Sequence, residues 1–215
     1  MVSVAYYLFQ WGIYYRNQQG LPVYSLSPNP SRRAIAGYQM GFIAVVLWPL
    51  FQAPVTTVAG FAFMLPLLIG FGIDWLIVSG GIDPKKQNIV ILFNKLESFK
   101  NFVLQPLLRI LLMLLLLITI SGSDYTIFSS QLSPLTATIF LYGVIVSACL
   151  VLLGIAGRIF ALVLVGLFGW LYLSYPLGML DVIMLSSLFW IMTLGTGAYS
   201  LWQRDEDWVN RYDGA

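Results

Sequence analysis

The chain has 215 residues, 59% of them hydrophobic and only 9% charged, with a mean hydropathy of +0.84, which lies outside the range of soluble globular domains and indicates a membrane protein. The net charge of +2 is too small and too spread out for nucleic-acid binding. Histidine is absent and cysteine occurs once, which removes the usual haem, zinc and iron–sulfur ligands and the common near-neutral proton shuttle.

The first element, Val2–Tyr15, is apolar but lacks the basic leader and small-residue cleavage site of a signal peptide, so it is expected to be retained. As a helix it would extend about 20 Å, short of the roughly 30 Å hydrocarbon core. Tyr6, Tyr7, Trp11, Tyr14 and Tyr15 crowd it, and such side chains favour the headgroup boundary. An interfacial or partner-bound helix is therefore predicted; a seventh span is the alternative, which would put the N-terminus outside while leaving Arg16 inside. Gln19–Pro30, with Pro22, Pro28 and Pro30, reads as an extended connector.

Six apolar runs of spanning length follow: Ala34–Ala53, Thr57–Gly80, Phe102–Ser121, Pro134–Ala156, Ile159–Ser174 and Val182–Trp202. Arg16, Arg32 and Arg33 precede the first run, and Lys85, Lys86, Lys95 and Lys100 lie between the second and third. Arg158 sits between the fourth and fifth, and Arg204 and Arg211 follow the sixth. The alternate connections, Pro54–Thr56, Gly122–Ser133 and Tyr175–Asp181, carry no Lys or Arg. By the positive-inside rule, this pattern predicts an all-α bundle of six transmembrane helices with both termini cytoplasmic, or stromal in a thylakoid. The setting is an inner, plasma or thylakoid membrane. The chain divides into an aromatic segment and connector (1–33), a transmembrane pair (34–80), an amphipathic connector (81–101), a four-helix unit (102–202) and a polar tail (203–215).

Within the connector, Gly80-Gly81-Ile82-Asp83-Pro84 ends one helix. Ile89, Leu92, Phe93, Leu96 and Phe99 then recur at helical spacing against Asn88, Asn94, Lys95, Glu97 and Lys100. This predicts an amphipathic helix lying on the cytoplasmic membrane surface or offering a docking face to a soluble partner.

Two charges fall inside spans. Asp74, six residues before Gly80, and Arg109, seven after Phe102, would lie about 9–10 Å inside the same boundary. Consecutive antiparallel helices could bring them together as an ion pair, either fixing the fold or serving a proton, quinone or substrate path; independent snorkelling by Arg109 is the third reading. Gly70 and Gly72 are expected to permit close helix approach, Cys149 to pack, and Asp181 to act as a cap or a solvated residue at the outer boundary. No metal site and no required cofactor are predicted, although the aromatic and apolar surface is compatible with a bound lipid, quinone or carotenoid.

Three stretches of the second half resemble the DoxX-like family of small membrane proteins over about Asn101–Trp202. They are Leu107-Leu108-Arg109-Ile110-Leu111 at a helix opening, Leu152-Leu153-Gly154-Ile155-Ala156-Gly157-Arg158-Ile159 across a short turn, and Gly195-Thr196-Gly197-Ala198-Tyr199-Ser200-Leu201 at the close. The resemblance implies a four-helix unit and association with membrane redox systems including a quinone-linked one; Gly157 and Arg158, at the short turn, are the candidate headgroup contacts. The family's acidic residue is absent from Leu141–Val151, and its aspartate after the closing serine-leucine is replaced by Trp202.

The resulting expectation is a noncatalytic accessory subunit or assembly factor of a larger electron-transfer or photosynthetic membrane complex, in contact with lipids. Tyr6, Tyr7, Trp11, Tyr14, Trp202 and Trp208 are the candidate contacts. A small transporter or channel using Asp74 and Arg109, and a quinone-linked oxidoreductase component, are the alternatives.

Overall fold

The computed structural model describes residues 2–26, 37, 42–43, 46, 51, 53–83, 86–173 and 175–202. The first predicted span, Ala34–Ala53, lies almost wholly outside these residues, as do Trp208 and the rest of the polar tail. What is described is all-helical: α1 (Val2–Gln18), α2 (Ala53–Val78), α3 (Gln87–Phe99), α4 (Gln105–Ser121), α5 (Ser123–Gln131), α6 (Pro134–Leu153), α7 (Gly157–Leu171) and α8 (Met179–Leu194).

Three continuous helices, Ala53–Val78, Gln87–Ser121 and Pro134–Leu153, are long and apolar enough to cross a membrane. α7 and α8 are shorter apolar helices of 15 and 16 residues. α4, α6, α7 and α8 close a ring, each packed on two of the others. α2 lies against α8, and α1 against α2. Leu112, Leu116, Val144, Leu164, Phe168, Leu185 and Leu188 fill the middle of the ring.

Local signals explain most helix ends. Ser133 accepts the Thr136 amide at 3.2 Å, and Pro134 occupies the first turn of α6, where its missing N–H costs nothing. Gly154, at φ 69°, turns the chain out of α6, and the Ile155 amide returns to the Leu150 carbonyl at 2.9 Å. Asp181, at the third position of α8, reaches back over the helix start, its Oδ2 accepting the amide of the capping residue Gly178 at 2.8 Å.

The structure departs from the sequence expectation in three places. The amphipathic connector helix is not a separate element: α3 runs into α4 through a π turn at Lys100–Leu104, making one helix of 35 residues. The backbone stays helical although Pro106 follows directly, its missing N–H falling opposite the Phe102 carbonyl within the π turn. The sixth run is helical only to Leu194. Gly195 and Gly197 take φ of 89° and 72°, and the remainder to Trp202 is irregular yet pinned to its neighbours. Finally, the Gly122–Ser133 connection contains α5, held down by Phe128, which is 3% exposed among the rings of Phe140, Trp170 and Tyr175. On the same helix, burial pushes the Tyr125 phenol above its ordinary pKa.

Candidate functional site

The polar side chains of the ring collect at one end, where α4 begins, α6 ends, α7 begins and α8 ends. Gln105 and Arg109 are one turn apart on α4, so both project from the same face. Their residues are 1% and 3% exposed. The Arg109 guanidinium donates to the Leu152 carbonyl at 3.1 Å and to the Ala198 carbonyl at 2.6 Å. The Gln105 amide donates to the Leu194 carbonyl at 2.5 Å. Leu152 and Leu194 are among the last residues of α6 and α8, whose carbonyls lack partners within their own helices. One face of α4 therefore caps two neighbouring helices, and the positive charge of Arg109 sits at the negative end of α6.

Three backbone bonds tie the irregular segment 195–202 to this end. The Ala198 amide donates to the Asn101 carbonyl within the π turn at 2.9 Å. The Leu201 and Trp202 amides donate to the carbonyls of Leu153 and Gly154 at 3.0 and 3.3 Å, and Ile155 and Trp202 form a single parallel bridge. Apolar sequence can leave the helix here because its backbone groups find partners in the α6–α7 turn and the π turn.

Glycine makes the close approach possible. A Cβ on Gly157 would lie 2.0 Å from Thr196 Cγ2, and one on Gly197 would lie 2.1 Å from Gln105 Oε1. The glycine-turn-arginine junction and the glycine-rich closing stretch, which carry the family resemblance, are thus two halves of one interlock. Arg158, the expected headgroup contact, is 7% exposed and follows the turn to which segment 195–202 is bonded.

Asp74 is half-buried on α2. The two carbonyls that receive the Arg109 terminal nitrogens belong to α6 and segment 195–202, not to the helix that carries Asp74. Tyr6, Tyr7, Trp11 and Tyr14 are all more than half exposed on α1. Trp202 belongs to the interlock rather than to a free tail. Sequence reading missed Gln105 and the role of Arg16, and it named Thr196, which is 0% exposed, only within the closing stretch. Arg16 donates to the Ser79 carbonyl at 2.9 Å and to the Pro22 carbonyl at 3.0 Å, fastening α1 and its connector to the end of α2.

A second feature is a cavity of about 240 Å³ lined by residues that include Phe42, Phe51, Val55, Phe63, Val165 and Phe189, with Thr56 among them. Such a lining offers dispersion contact to an acyl, isoprenoid or polyene chain and little hydrogen-bonding chemistry. Among the described residues, no cluster of three or more His, Cys, Asp or Glu could hold a metal ion.

In comparisons with protein-family models, curated proteins and solved structures, nothing matches this chain.

Proposed function

We propose that this protein is a noncatalytic integral membrane subunit or assembly factor of a larger electron-transfer or photosynthetic membrane complex, with six spans and its basic connections on the cytoplasmic or stromal side. The observation that carries this reading is the 35-residue helix Gln87–Ser121. At standard rise it is about 52 Å long, against a hydrocarbon core of roughly 30 Å. If α4 spans, an unbroken α3 stands out from the bilayer instead of lying on it. No residue of α3 is buried, and Leu92, Leu96 and Phe99 are each about half exposed. An apolar stripe outside the membrane favours a protein groove as its cover. The hydrogen bonds of Arg109 and Gln105 to backbone carbonyls support a structural role for the polar end of the ring. The DoxX-like resemblance suggests a quinone-linked redox system as the setting, and the apolar cavity would suit a lipid, quinone or carotenoid tail.

Purification from native membranes in mild detergent should recover a stable larger complex. Leu92→Glu combined with Leu96→Glu should release the partner while leaving the helical content of the chain unchanged. Turnover of a quinol, or substrate flux in liposomes, by the isolated chain with no partner captured would replace this reading with the enzyme or transporter one.

The topology has its own test. In a Cys149→Ser background, Ser123→Cys and Ser98→Cys should label from opposite sides of the membrane, because the first lies in a connection without Lys or Arg and the second in the lysine-bearing one. Labelling from one side would overturn the six-span arrangement.

A further inference from the structure

α1 runs parallel to α2, which sets the depth of every residue on it. The Phe9 ring lies 6.0 Å from that of Phe71 and 5.8 Å from that of Trp75. Gly12 fits against Trp75 so closely that a Cβ there would lie 2.4 Å from the indole, and Arg16 reaches the Ser79 carbonyl. These contacts advance together along both helices. α2 has the length and apolarity of a membrane span, and Arg16 marks its basic end. Counting back from Arg16, Tyr14, Gln10 and Tyr7 lie about 3, 9 and 14 Å deeper. If α2 spans the membrane, α1 lies beside it at the depth of the hydrocarbon, in addition to the six spans proposed above and as the alternative of a seventh membrane helix has it.

Its outward face is unusual for that depth. Tyr7, Gln10, Tyr14 and Asn17 recur at alternating spacings of three and four, the repeat of a helix–helix seam. This line lies about two-fifths of a turn from the one formed by Phe9, Gly12 and Arg16, and all four residues are exposed, Tyr7 by 70% and Tyr14 by 60%. Hydrocarbon is a poor cover for a row of amides and phenols, since it returns no hydrogen bonds.

We infer that this stripe is the seam of a parallel homodimer, with α1 of a second copy as its occupant. Copies inserted by one topology are parallel, and residues at seam positions of a parallel pair face their own counterparts. A stripe that pairs with itself must both donate and accept. Tyr, Gln and Asn side chains do both, and none of the four carries a charge that would repel its copy. Arg16, the charged residue of this helix, is turned to the end of α2. Gln18 supports the stripe by donating to the Tyr14 phenol oxygen at 2.7 Å, which leaves the phenol proton available to the other copy. Self-association through α1 is independent of partner docking through α3.

The test uses the full-length chain in membranes. In a Cys149→Ser background, oxidation should link Tyr7→Cys and Gln10→Cys into dimers of this chain at least tenfold faster than Leu8→Cys, which replaces a residue 59% exposed on another face. Light scattering of the otherwise unmodified chain in mild detergent should give twice the protein mass of the 24.1 kDa chain, and Gln10→Leu with Tyr7→Phe should weaken the dimer at least tenfold without altering the circular dichroism. Equal linking at Leu8 and Gln10, links to a different protein, or one-chain mass across the accessible concentration range would each overturn the inference.

Discussion

Arg109→Leu is expected to destabilise the protein by about 3–5 kcal/mol, because it takes two charge-assisted donors from buried carbonyls at once. The carbonyls are those of Leu152 and Ala198, one at the end of α6 and one in the segment that closes the ring. For a chain of this size, that loss lowers the unfolding midpoint in detergent by about 10 °C. Arg109→Lys should recover only part of it. A lysine ammonium is a compact point charge, whereas the guanidinium fork reaches two acceptors on different elements. Full recovery by lysine would show that charge, not the fork, is what this site needs. Combination with Asp74→Asn separates the remaining possibility: if Asp74→Asn abolishes the loss, Arg109 serves a charge pair with Asp74 and not the two carbonyls.

The helical segments were legible because membrane helices follow simple rules. The length of the apolar runs located α2, α4, α6, α7 and α8, and Pro134 opened its run where the helix begins. The polar end of the ring was legible only as a scatter of residues. Arg109 stood out as a charge within an apolar run, but two of the groups it bonds are backbone carbonyls, and a carbonyl has no sequence signature. Gln105 carried no comparable signal in the sequence. Hydropathy also could not separate α8 from the irregular stretch after Leu194, since both are apolar and the irregular backbone is satisfied by contacts far away in sequence. The continuity of α3 with α4 was hidden by Pro106 and by the change from amphipathic to apolar sequence, which together suggested a boundary that the backbone does not make.

Gly157→Ala should destabilise the interlock by about 1–3 kcal/mol, and Thr196→Ser should relieve most of that loss. The new Cβ would lie 2.0 Å from Thr196 Cγ2 but 3.5 Å from its Cβ and 3.9 Å from its Oγ1, so a single methyl group is the obstacle. Thr196 is 0% exposed and cannot swing clear. Serine removes the methyl and keeps the hydroxyl; alone it should cost about 1 kcal/mol for the space it leaves, and in the double variant the added Cβ at position 157 fills that space. The double variant should therefore unfold at a higher temperature than Gly157→Ala itself. Gly197→Ala provides the contrast: its φ of 72° strains any side chain, so the same serine should not rescue it. If the losses at positions 157 and 196 simply add, the turn and the closing segment do not meet through this methyl, and the steric account of the glycine-arginine junction fails.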